Sequence, residues 1–206
     1  MKKSLLAIAA VSAMSSGAAL AQQAEGPLMV RVRAVNIDSA NKDSTGLGLS
    51  INDKAIPEVD VSYFFTPNIA AELILTYPQK HKLYANGLGQ IATLKHLPPT
   101  LLAQYHFTHF GGFKPYVGAG INYTRFSSVR FTPGAQGLLG PSIDKNSFGP
   151  ALQVGVDIPL SKNLYLNLDV KKVYIGTDVH SSVAGGKVGS FKVNPVLAGV
   201  GLGWRF

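Results

Sequence analysis

Apolar side chains recur at every second residue in eight separate segments of this chain: Leu28–Val35, Ile56–Phe65, Ile69–Tyr77, Thr100–Phe107, Pro115–Arg125, Gly149–Ile158, Leu164–Tyr174 and Lys192–Phe206. Successive side chains leave a β-strand on opposite sides, so strict alternation marks a strand with one apolar and one polar face. Helical periodicity is weak throughout, and the chain is read as all-β.

The connections between these segments are sorted by length. Asn36–Ala55, Pro78–Pro99, Phe126–Phe148 and Ile175–Phe191 are long, whereas 66–68, Thr108–Lys114 and Pro159–Asn163 are short. Long and short connections alternate strictly. An antiparallel outer-membrane barrel with an even number of strands shows this sorting, with long loops outside the cell and tight turns in the periplasm. A soluble β-sandwich has no cause to sort its connections.

One face of each ladder is nearly free of charge. Val59, Val61, Tyr63 and Phe65 oppose Glu58, Asp60 and Ser62; Leu152, Val154, Val156 and Ile158 oppose Gln153, Gly155 and Asp157; Val196, Ala198, Val200, Leu202, Trp204 and Phe206 share the last segment's apolar face. A face that meets hydrocarbon must avoid charge, because a basic side chain at the bilayer midplane costs about 2–4 kcal/mol. Arg125 and Lys172 break the pattern only at long-loop ends, where the side chain reaches the interface. Tyr77, Tyr123 and Tyr174 at one end, and Tyr63, Phe65, Tyr105, Phe107, Trp204 and Phe206 at the other, supply two interfacial girdles. The fold expected is an eight-stranded antiparallel transmembrane β-barrel of the bacterial outer membrane.

The first residues agree with that destination. A positive start (Met1-Lys2-Lys3), the apolar run Leu5–Met14 and the small-x-small site Ala19-Leu20-Ala21 make residues 1–21 a secretory signal peptide and 22–206 the barrel. Removing Lys2 and Lys3 lowers the formal net charge from +8 to +6. Charged residues make up 15% of the chain and Cys is absent, which excludes a disulfide framework and a cysteine nucleophile. No basic cluster of the nucleic-acid-binding kind accompanies the excess charge.

An eight-stranded barrel has room inside only for side chains or one small ligand. The inward positions sort by height. Near the short turns lie Asp60, Glu72, Asp157, Asp169 and Arg205, with Arg31 and Arg33 slightly higher, and these form a charged floor. Counting Lys171 and Glu58, the inward strand charges are four basic against five acidic, a balance that suits a plug better than an ion filter. Nearer the long loops the inward positions are Ile56, Ile74, Leu102, Val173 and Leu197, an apolar pocket, and Gly118, Gly120, Gly155, Gly199, Gly201 and Gly203 remove volume lower down. The expectation is a passive channel for small hydrophobic molecules, open to an apolar entrance, shut toward the periplasm, with exit sideways into the bilayer. The rival reading is a structural or adhesive barrel with a filled lumen that acts through its loops.

Other features carry less. Arg125, Arg130, Lys172, Lys187 and Lys192 gather at the outer edge, where lipopolysaccharide phosphates would meet them. The histidines lack metal-binding spacing; His81 and His96 read as solvated loop residues, and His106 points inward near Glu72 or Asp157. No GxSxG elbow or phosphate loop is present, so no enzyme, metal or cofactor is expected. Gly87–Leu97 is apolar for an exposed loop and reads as a short helix or lid.

One set of stretches runs in order along nearly all of residues 22–206: Val30-Arg31-Val32-Arg33, Pro57–Thr66, Asn68–Leu73, His96-Leu97-Pro98-Pro99-Thr100, Gln104–Phe107, Lys114–Thr124, Gly155-Val156-Asp157, Asp169-Val170, Gly199-Val200-Gly201 and the final Arg205-Phe206. Together they resemble the outer membrane protein W (OmpW) family, which includes alkane-uptake relatives. The resemblance implies an eight-stranded barrel that admits small hydrophobic molecules, and a terminal Phe206 similar to the signal read by the barrel-assembly machinery. The long loops match poorly.

Overall fold

The computed structural model describes residues 25–206, so the expected signal peptide lies outside the described residues. Eight antiparallel strands form the barrel: β1 (Leu28–Asp38), β2 (Lys54–Phe64), β3 (Ile69–Leu75), β4 (Thr100–His106), β5 (Lys114–Phe131), β6 (Asn146–Pro159), β7 (Leu164–Val173) and β8 (Val196–Arg205). Each pairs with the next, and β8 returns to β1 in a register running from Met29–Arg205 to Asp38–Val196. The first and last strands clasp at this seam: Leu28 N donates to Phe206 O at 3.2 Å and Phe206 N to Leu28 O at 2.8 Å.

Alternation dictates what each strand presents. On β1, Val32 is 46% exposed while Arg31 and Arg33 are buried. Leu73, Leu101, Ile121, Val154, Leu168 and Val200 are likewise exposed, a continuous apolar belt on the outside of the sheet. The aromatic rows flank this belt at both ends, with edge-to-face contacts between Tyr63 and Phe65 and between Tyr105 and Phe107 at the periplasmic end. No edge strand is left in the ring, and every backbone ladder is satisfied by a neighbour, the condition for crossing lipid.

Beyond the outer girdle the sheet continues as a cap. The connection from β3 to β4 is a hairpin, Gln79–Ala85 against Gly89–Leu97, and its second strand lies along the outer half of β5. A four-stranded sheet of Lys42–Asp43, Pro141–Ile143, Gly176–Ser181 and Gly186–Lys192 adds a second flap. A short helix, α1 (Pro133–Leu139), is capped by Thr132, whose hydroxyl accepts from Ala135 N, and ends at left-handed Gly140. The helix or lid expected at Gly87–Leu97 is therefore a strand. Ile91, Leu94 and His96 turn to the buried side, and β5 offers a free edge on which they pair.

Candidate functional site

The lumen divides into a charged floor and an apolar upper part. The floor is built on β1. Arg31 Nε and Nη2 donate to both carboxylate oxygens of Asp157, at 3.2 and 2.7 Å, and Nη1 reaches Asp60 Oδ1 at 3.1 Å and Ser62 Oγ at 2.8 Å. Arg33, one inward position higher, meets Glu58 at 3.0 Å, Asp60 at 2.5 Å, Glu72 at 3.0 Å and Asp169 at 3.1 Å. Lys171 joins Glu58 at 2.6 Å to Asp169 at 3.0 Å. Gln104 and Gln153 continue the network from His106 to Asp169, and Asn167 ties Asp157 to the Tyr116 hydroxyl. All these groups are buried. Charges are retained in such a place only when paired and hydrogen-bonded, and here the network joins all the strands from β1 to β7 across the lumen.

Small residues make room for it. Arg31 lies directly opposite Gly203 and Arg33 opposite Gly201. A Cβ at Gly201 would stand 2.1 Å from the Val32 carbonyl oxygen and 2.7 Å from Arg33 Cγ; one at Gly155 would stand 2.4 Å from the Tyr116 ring. The volume these glycines release is thus filled by arginine stems and by Tyr116, where the sequence suggested open space.

Arg205 stands apart from the acids of the floor. It donates to Gly26 O at 2.8 Å, meets Glu25 Oε2 at 2.5 Å and lies 3.7 Å over the Phe64 ring. Glu25 also pairs with Lys114 and accepts from the Tyr165 hydroxyl at 2.7 Å. Partial burial would push the Glu25 carboxyl up, but the hydrogen bonds from Lys114 and Tyr165 and the Arg205 charge outweigh it and hold it below its ordinary range. The sequence grouped Arg205 with Asp157 and Asp169; the segment ahead of β1 supplies its acid instead.

Above the floor, Ile56, Ile74, Val173 and Leu197 line a cavity of about 30 Å³ with Ile37, Ile175, Pro98 and Pro195, over a base of Glu58, Lys171, Thr100 and Asn122. Leu102, expected in the same pocket, is buried but does not line it, because its register partner is Glu72 and it sits level with the floor. A second apolar cavity of about 30 Å³ lies higher, between the cap hairpin, α1 and the small sheet, lined by Leu49, Ile51, Leu83, Leu94, Phe126 and Phe191. His96 and Val193 line both.

The two histidines expected to be solvated are buried instead. Their rings stack at 4.6 Å and 14°, and His81 Nδ1 lies 3.0 Å from Asn52 O. Burial, with the neighbouring His81 and Lys54 charges, pushes His96 down to about 3; burial also lowers His81. Both are neutral at physiological pH. Their place was legible in one signal: Asn86-Gly87 is a strong hairpin-turn dipeptide, and alternation on either side of the turn 86–88 puts His81, Leu83, Leu94 and His96 on one face. Tyr116 was likewise missed, although it shares the phase of Gly118 and Gly120.

The outer basic residues fall into two groups. Lys187 meets Asp178 at 2.5 Å, and Lys172 donates to Asn194 O at 2.5 Å and lies over Tyr174. Arg125, Arg130 and Lys192 are exposed.

A family model described as the OmpW family matches residues 24–206. The chain is 43% identical over 188 residues to an uncharacterized outer-membrane protein, y4mB, of Sinorhizobium fredii, covering 87% of this chain and 80% of that protein. It is 34% identical over 213 residues to outer membrane protein W of Escherichia coli, covering 100% of both. The crystal structure of outer membrane protein OprG from Pseudomonas aeruginosa superposes with a TM-score of 0.76 at 25% identity, over 88% of this chain and 97% of that one.

Proposed function

The chain belongs to the OmpW family of outer-membrane β-barrels, and on that premise we propose that it is a passive route for small hydrophobic molecules across the outer leaflet. The observation that carries this reading is the contrast along the lumen. The inward belt of Ile56, Ile74, Val173 and Leu197 is apolar, and directly beneath it the ion network fills the cross-section. A solute with no polar groups gains by leaving water for the belt. It gains nothing by entering the floor, where it would have to break paired charges. Exit is then sideways between strands into hydrocarbon, and flux follows the concentration gradient. Each cavity is only about 30 Å³, so the cap hairpin and α1 must move aside for a solute to enter.

That small volume also favours the second reading, a structural or adhesive barrel acting through its loops. Liposome uptake of a fluorescent apolar solute separates the two. Barrel-containing liposomes should take it up faster than protein-free ones, and Ile74→Glu or Val173→Glu should abolish the difference while the barrel still folds. Equal uptake with and without protein, or unchanged uptake in both variants, leaves the adhesive reading. The same proposal includes processing after Ala21, tested by a mature N-terminus at Gln22, and assembly through Phe206, tested by the folded yield of a Phe206→Ala variant.

A further inference from the structure

The cap hairpin has a second face. Its inner side chains are spent on the upper cavity; its outer face, continuous with β5, carries Lys80, Lys82, Lys95, Arg125 and Arg130, all exposed. The register brings them together. Lys80 is directly opposite Lys95, which is opposite Ser127; Lys82 is opposite Thr93, which is opposite Arg130. Directly opposed residues on an antiparallel pair project from the same face with Cβ atoms about 4.5–5.5 Å apart, and like charges there destabilise the sheet. Among the described residues, none of the five has a carboxylate within ion-pair distance, whereas Lys114, Lys171 and Lys187 all do. The local sequence explains this: from Leu73 to Ile143 there is no Asp or Glu. The hydroxyls of Thr93 and Ser127 sit between the cations as additional donors.

Height in the membrane narrows the choice of anion. Arg125 is two residues beyond Tyr123 and Lys80 three beyond Tyr77, both in the outer girdle. At about 3.3 Å per residue, the lowest members of the patch stand roughly 7–10 Å above the aromatic row, at the level of lipid headgroups.

We propose that this face docks the phosphorylated saccharide headgroup of lipopolysaccharide in the surrounding outer leaflet, with the phosphates seated between Lys80, Lys95 and Arg130. The site keeps Arg125 and Arg130 of the rim expected from sequence, replaces Lys172 and Lys187, which already have partners, with three lysines of the hairpin, and leaves out Lys192, which lies opposite Lys42 on the other flap. A phosphate there relieves the Lys80–Lys95 repulsion and ties the hairpin to β5, so a bound lipid steadies the roof of the lumen. The proposal rests on the outer-membrane placement and not on the transport reading.

The test uses the purified full-length mature barrel in detergent, with native mass spectrometry and titration against lipid A and enzymatically dephosphorylated lipid A. The wild type should bind the phosphorylated lipid at least tenfold more tightly, and added salt should erode that preference. The triple change Lys80→Glu, Lys95→Glu, Arg130→Glu should abolish it, and the milder Lys80→Gln, Lys95→Gln, Arg130→Gln should reduce it several-fold. The pair Lys172→Glu, Lys187→Glu should leave it intact. Equal wild-type binding of the two lipids overturns the proposal. So does a preference that survives the triple reversal, or one that the control pair removes equally. Displacement of the lipid by millimolar inorganic phosphate would make this a general phosphate site and overturn the lipid assignment.

Discussion

Arg33 on β1 and Gly201 on β8 are direct register partners, and the side chain that Gly201 lacks is the space through which the Arg33 stem runs into the lumen. The pairing shows how an eight-stranded barrel accommodates large ions in so narrow a bore: one strand supplies the arginines and its neighbour supplies glycines at the same heights. Floor and wall are therefore designed together, and a change in either should be felt in both.

Gly201→Ala should destabilise the barrel by about 1–3 kcal/mol, the usual range for forcing extra atoms into a well-packed interior. Urea unfolding in micelles measures it. Gly111→Ala, where an added Cβ meets nothing within 4 Å, should leave the midpoint unchanged.

Arg31→Met should cost about 3–5 kcal/mol, because Asp157 would be left buried without its arginine and Asp60 would keep only Arg33. Combining it with Asp157→Asn should recover part of that loss, so that the double variant is more stable than the sum of the single changes allows. Additive losses would show that the two groups act independently.

Ile56→Phe should fill the lower cavity. Uptake of an apolar solute by liposomes should fall at least tenfold, while unfolding stability changes by less than about 1.5 kcal/mol, the usual cost of an accommodated apolar swap. Undiminished uptake would place the path outside this cavity.

The stacked histidines make the cap pH-sensitive. His96 titrates near 3 in the fold and near 6.5 when released, and His81 is lowered too. Below about pH 6.5 the opened cap binds protons that the closed cap refuses, so closure weakens as pH falls from about 6.5 toward 3 and is insensitive above that window. For His96 the slope approaches about 1.4 kcal/mol per pH unit within that window, and His81 adds to it in the same direction. Hydrogen exchange of Gln79–Leu97 should be faster relative to β7 at pH 5 than at pH 7.5, and His96→Leu should flatten the dependence.

The transmembrane part of this fold was legible because lipid imposes a strict rule on every second residue. Val32, Leu73, Val154 and Val200 had to be apolar, and the phase they set places Arg31, Arg33, Glu72 and Asp157 in the lumen. Outside the bilayer that rule lapses. Gln79–Ala85 alternates as a barrel strand does, yet its outer face carries Lys80 and Lys82, and Gly89–Leu97 loses phase at register shifts, so the segment resembled a loop. Height within the lumen was less legible than direction. Leu102 was placed too high because strand stagger, which puts it beside Glu72, is fixed by pairing and not by the side chains of one strand. Arg205 found its acid in Glu25, in a segment with no periodic pattern to locate it.

The clasp of Leu28 and Phe206 joins the first strand to the last. Until they meet, the outer edges of β1 and β8, each paired on one side only, carry amide groups that in hydrocarbon have nothing to bond with. An unfinished ring is therefore penalised along its full open length, and the penalty disappears only at the final zip. Such a molecule has no comfortable halfway form: insertion and closure must proceed as a single event, and whatever guides the last strand to the first governs the birth of the whole cylinder.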